Sequence, residues 1–125
     1  MSYLNTNVLD KGLEWLVTNG TRIDITIGEA ASYSEAVTDG AKSAGFKTGI
    51  TIGNPGTRSP SGRKVTVPQI TGGTVTETDT ATHWAITNGS DTLVATGALD
   101  SGQVVTDGNT WQTTGTFDIG IPDPA

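Results

Sequence analysis

The chain has 125 residues, enough for one domain with its own core and short for two. Thirteen acidic against seven basic residues leave a net charge of −6, which disfavours a nucleic-acid backbone as a general partner, and the absence of cysteine excludes disulfides and thiolate metal sites. Charged residues make up only 16%, so the modest 34% apolar content, set among abundant Gly and Thr, reads as a loop-rich β domain and not as a disordered chain.

In chain order, Leu9, Leu13 and Leu16 fall at i, i+4 and i+7, with Val8, Trp15 and Val17 widening the stripe, which predicts a helix over 8–17 of about three turns. Asn7 is placed to cap it, with Asp10 three positions on, and Asn19 followed by Gly20 supplies a left-handed stop. Gly12 inside the helix costs about 1 kcal/mol relative to Ala, so the helix depends on docking against the sheet or another subunit.

Ile23, Ile25 and Ile27 then alternate with Arg22, Asp24 and Thr26, and Phe46, Thr48, Ile50 and Ile52 alternate with Lys47, Gly49 and Thr51. Both patterns predict strands. Between them, 28–45 is compatible with a helical turn or an irregular loop. Residues 53–62 hold Asn54, Pro55, Gly56, Ser59, Pro60 and Ser61, a run of breakers that predicts a surface loop. Val65 and Val67 open another strand, Pro68 marks an edge or bulge, and Gly72 and Gly73 lead into the Thr-rich stretch 74–80.

Trp84 and Ile86 share one face of a strand over 82–87. Asn88 and Gly89 then predict a hairpin of type I′ character, lengthened by Ser90 and Asp91, that returns through 92–99. Val104 and Val105 precede a turn at Asp107 and Gly108. The last strand spans 110–121, with Trp111, Phe117, Ile119 and Ile121 on one parity and Gly115 as a bending point, and residues 122–125 form an exposed tail. The expected fold is mainly β, an antiparallel β-sandwich or barrel-like closure of about seven or eight strands with a short N-terminal helix, the sandwich preferred. Residues 1–20 form the arm and helix and 21–125 the β-sandwich, one structural domain in all.

Chemistry is sparse. His83, the only histidine, lies opposite the Trp84 and Ile86 face and reads as a solvated strand residue. Glu77, Asp79, Asp91, Asp100 and Asp107 lack the spacing of a calcium loop, and the glycines form neither a dinucleotide nor a phosphate loop. No enzyme activity, cofactor, metal or nucleic acid is expected. No window approaches the roughly 18 apolar residues that span a bilayer, and no secretory pattern opens the chain, so a soluble protein made in a cytoplasm, with no membrane partner, is expected. Trp84 and Trp111 are in phase with apolar strand neighbours and belong to the core; Trp15 anchors the helix to its own sheet or to a neighbour. Arg58, Arg63 and Lys64 form one basic cluster at the breaker-rich loop, either solvated or a foothold on an acidic partner.

The segment VLDKGLEWLVTNGTRIDI over 8–25, the run Tyr33, Ser34, Glu35, Ala36, then GRKVTVPQI at 62–70, ATHWAI at 81–86, LVATGAL at 93–99 and the closing FDIGIPDPA together resemble small structural proteins of tailed bacteriophages. The resemblance covers nearly the whole chain, as ordered segments and not as a catalytic signature. It implies a virion component made in the host bacterial cytoplasm, a decoration or cement protein on the outer capsid surface that binds the major capsid protein and fastens capsomers, with self-association as a trimer or dimer. On this view Tyr3, Leu4, Leu9 and Trp15 at the N-terminal side, and Arg58, Arg63 and Lys64 in the basic loop, are the expected contact residues. A head-completion, neck or tail component is the first alternative, and a carbohydrate-binding β module, which needs an exposed aromatic platform, is the second.

Overall fold

The computed structural model describes residues 5–122. In chain order these form α1 (Thr6–Asn19), β1 (Arg22–Thr26), α2 (Tyr33–Val37), β2 (Ser43–Thr48), β3 (Gly56–Thr57), β4 (Arg63–Val67), β5 (Gly73–Val75), β6 (Asp79–Thr87), β7 (Leu93–Val105), β8 (Thr110–Trp111) and β9 (Phe117–Ile121). Six strands make one sheet in the order β7-β6-β1-β2-β5-β8, three make another in the order β3-β4-β9, and the strand pairs are antiparallel. The fold is thus mainly β with a short N-terminal helix, and the sheets form a sandwich-like pair without barrel closure.

Ile23 and Ile25 of β1, Val75 of β5, Ile86 of β6 and Trp111 of β8 pack in one cluster with Val65 and Val67 of β4, so the core unites residues of both sheets. Leu13 and Leu16 of α1 join that cluster and Leu9 is also buried. The helix therefore docks on its own domain, chiefly against β4, and each buried leucine contributes about 1.5–3 kcal/mol by leaving water. Both expected helix ends are corrected. The helix begins at Thr6, which puts Asn7 inside it. At the other end neither Asn19 nor Gly20 is left-handed. Gly20 instead continues the helical bonding, its N–H donating to the Leu16 carbonyl at 2.7 Å, and it is buried where a Cβ would stand 2.8 Å from Ile52 Cδ1 and 3.0 Å from Ile86 Cγ2. Glycine is there for close approach, not for backbone freedom.

The strand expectations meet three corrections. Ile50 and Ile52 lie beyond β2, because the chain turns at Gly49 with φ +67°. Pro68 marks no edge: β4 is the central strand of the smaller sheet, and Pro68 sits just past its end. The span 110–121 is not one strand, since β8 belongs to the larger sheet and β9 to the smaller, and the chain crosses between them over 112–116. The breaker-rich loop contributes the short β3. The hairpin loop after β6 is built on Asn88, whose Oδ1 accepts from the N–H groups of Ser90, Asp91 and Thr92, and only Gly89 has positive φ, so it is not a type I′ turn.

Of the undecided segment 28–45, residues around α2 fold over the outer face of the larger sheet and Ser43 to Gly45 begin β2 within it. Ser32 caps α2 by accepting from the Glu35 N–H at 3.2 Å, and the Glu35 carboxylate accepts from the Ala31 N–H. This Ser-x-x-Glu spacing is a readable helix start. Ala30, Ala36 and Ala85 make a small second core there, with Val37 and Leu93 against it.

Trp111 shows how tightly the larger sheet is packed. Its indole lies against Gly73 and Gly45: a Cβ at Gly73 would overlap the ring, and one at Gly45 would lie 3.1 Å from it. Trp111 is itself buried, so a shift of its ring disturbs the core. Gly73→Ala is expected to cost about 1–3 kcal/mol in chemical denaturation, whereas Gly56→Ala, at a position with open space and ordinary φ, stays within about 0.5 kcal/mol of the parent.

Candidate functional site

The expected contact residues part company in the fold. Tyr3 and Leu4 lie outside the described residues. Leu9 is 3% exposed, so it serves the interior of the domain and not a partner. Trp15, on the other side of the same helix, is 53% exposed, an unusual position for so large an apolar surface. The helix that carries it is braced: Arg63 of β4 donates Nε–H to Asp10 Oδ1 at 2.7 Å and Nη2–H to Oδ2 at 3.3 Å.

That brace also engages the basic loop, whose charges meet partners within the chain. Arg63 is committed to Asp10, and Lys64 pairs with Asp118 at 2.8 Å across β4 and β9. Lys64, together with Thr66, holds the Asp118 carboxyl below its usual range. Arg58 donates to the Ser61 carbonyl, and a Cβ on Gly120 would stand 2.7 Å from its Cδ. Two of the three charges are thus matched by carboxylates of the same chain.

One charged residue of the alternating polar set lies in the interior. Asp24 on the outer face of β1 is fully buried, because β1 lies between β6 and β2 and the segment around α2 covers that face. Arg22 donates to both carboxylate oxygens at 2.8 and 3.0 Å, and Ser43 donates to Oδ2 at 2.7 Å. The Arg22 guanidinium lies 4.6 Å from the centroid of the Phe46 ring. Burial pushes the Asp24 carboxyl up against the downward pull of these hydrogen bonds, while the bond to Asp24 binds the Arg22 proton more firmly.

A cleft of about 120 Å³ does open at one end of the sandwich. Its position follows from the register: Ala81 pairs with Gln103, yet His83, two residues on, pairs with Ala98, so β7 bulges outward over 99–102. Leu99, Asp100 and Ser101 of that bulge line one side and Gln112 to Phe117 of the crossover line the other. Ile23, Ile25, Trp84 and Trp111 complete the apolar lining. Trp84 of the larger sheet and Phe117 of the smaller meet there at 4.8 Å between ring centroids and 40° between planes, with Trp84 resting on Gly97. The crossover wall is held to the core through Thr113, which exchanges bonds with Ile70 at 2.8 and 2.9 Å. By contrast the side chains of Asp100, Ser101, Gln103, Gln112, Thr114 and Thr116 have no hydrogen-bond partner among the described residues.

Trp111 lies in the core as expected. Trp84 is half-buried, so the tryptophans of the strands line a cleft and do not form an exposed platform. The paired aromatics across the sheets were hidden in the sequence, since Trp84 and Phe117 are far apart in the chain. His83 is half-buried beside Thr82, its Nδ1 2.8 Å from the hydroxyl. Among the described residues no three His, Asp or Glu side chains group as a metal site would require, and no helix is long and apolar enough to cross a membrane. No protein-family model, curated protein or solved structure matches this chain.

Proposed function

We propose that the chain is a virion structural protein of the capsid decoration or cement type, which binds the major capsid protein on the outside of the assembled head and fastens neighbouring capsomers. Trp15 carries this reading. A tryptophan half open to water, on a helix fixed by three internal leucines and by the Asp10–Arg63 pair, is a rigid apolar anchor of the kind that dominates protein interfaces. The resemblance to phage structural proteins supplies the partner. Repetition over a symmetric shell lets a modest contact hold, because each copy is kept at high local concentration by its neighbours, and a trimer or dimer on a lattice axis would add to that.

Cryo-electron microscopy of particles with and without the protein tests it directly. Hundreds of copies over the shell are the expected image; a single ring at one vertex indicates the head-completion, neck or tail alternative instead. In a binding assay, Trp15→Ser is expected to weaken attachment to purified capsids by tenfold or more, in line with about 2 kcal/mol for an aromatic anchor, while the melting temperature stays unchanged. Capsids that bind none of the protein, and that keep their heat and osmotic resistance without it, defeat the proposal.

A further inference from the structure

We propose that the cleft between the β7 bulge and the 112–116 crossover binds a neutral saccharide ring. The inference is independent of capsid attachment, which places its anchor on α1. Two kinds of surface converge in the cleft. The floor offers what the Trp84 and Phe117 rings leave uncovered where they pack on each other and Trp84 rests on Gly97, an apolar surface suited to the C–H groups of a sugar. The rim offers carboxylate, amide and hydroxyl groups with no partner among the described residues, including those of Asp100, Ser101, Gln103 and Gln112. An amide both donates and accepts, and a carboxylate accepts only, which is the complement of vicinal hydroxyls.

Charge narrows the class further. Among the described residues no Lys, Arg or His lines the cleft and one carboxylate does, so a phosphate or acidic sugar would enter without a counter-charge from them. Size limits the depth of entry. At about 120 Å³ the space is below the roughly 150 Å³ that admits benzene in an engineered cavity. A single ring therefore seats partway, and the rest of a glycan projects through the mouth. The bulge itself argues for a built site, because an insertion that interrupts a strand pair and turns polar side chains over an aromatic floor is a costly way merely to end a sheet.

The test is titration of the full chain with glucose, galactose, mannose and N-acetylglucosamine and their disaccharides, followed by tryptophan fluorescence and by backbone amide shifts in NMR. Saturable binding of at least one sugar, with a dissociation constant on the order of 1 mM and shifts confined to 97–103 and 111–117, is the expected result. Asp100→Ala and Gln112→Ala, both at exposed positions, are each expected to weaken it about tenfold while leaving the fold intact. Trp15→Ser leaves it unchanged, and glucose 6-phosphate binds more weakly than glucose. The proposal is overturned if no sugar saturates by about 100 mM, if both rim variants bind like the parent, if shifts fall elsewhere, or if N-acetyltryptophanamide occupies the cleft and the sugars do not.

Discussion

Arg22→Met is expected to lower stability at neutral pH by about 3–5 kcal/mol, the range for removing one partner of a buried ion pair. Methionine keeps an alkyl chain over Phe46 but leaves the Asp24 carboxylate with the Ser43 hydroxyl alone, inside a fully buried position. The sign of the pH dependence follows from the direction of the shift. Burial already raises the Asp24 carboxyl, and without Arg22 the largest opposing hydrogen bond is gone, so it rises further. A carboxyl whose folded-state pKa lies above its unfolded value favours folding below the unfolded value, and that contribution is lost as pH rises through the folded one. Arg22→Met should therefore be markedly more stable near about pH 4 than at neutral pH, relative to the parent. Removing the charge on both sides, as Arg22→Met with Asp24→Asn, should recover most of the loss, since Asn can still accept from Ser43. Urea denaturation at the two pH values decides the matter; a deficit that does not change with pH would place the effect in lost packing.

Leu13→Ala is expected to cost about 2–5 kcal/mol in the same assay. Leu13 is 1% exposed at the junction of α1 with the core, where the surrounding strands cannot collapse into the space it leaves. A helix of about four turns with a glycine inside it has little stability of its own, so the loss should appear as faster amide exchange along α1 as well as a lower denaturation midpoint. Set beside Trp15→Ser, the substitution separates the two faces of one helix. Leu13 should govern folding and Trp15 attachment. Equal stability losses from both would mean that Trp15 packs inward, and the anchor reading would go with it.

Local patterning along the chain was enough for the class of the fold and most of the core. Alternation at Ile23 and Ile25, at Val65 and Val67, and at Trp84 and Ile86 located strands that do exist, and the i, i+4, i+7 leucines located a helix whose buried side is theirs. These signals are local. A side chain's direction from a strand or helix is set within a few residues, so periodicity reports which face is apolar without knowledge of what covers it.

What covers it was decided only in three dimensions. Asp24 belongs to the polar set that alternates with the isoleucines of β1, yet it is buried because α2 and its flanking loops fold over the second face of a central strand, a fact carried by those residues and not by β1. Arg63 and Lys64 read as a loose basic patch, yet their partners, Asp10 and Asp118, lie 53 and 54 positions away in the chain. Trp111 and Phe117 keep one parity but end in different sheets, because the chain crosses the sandwich between them. The candidate cleft exists only through that crossover and the β7 bulge, both of which are matters of register. Pairing between distant strands is selected by the fit of the whole core, and no single stretch of the chain encodes it.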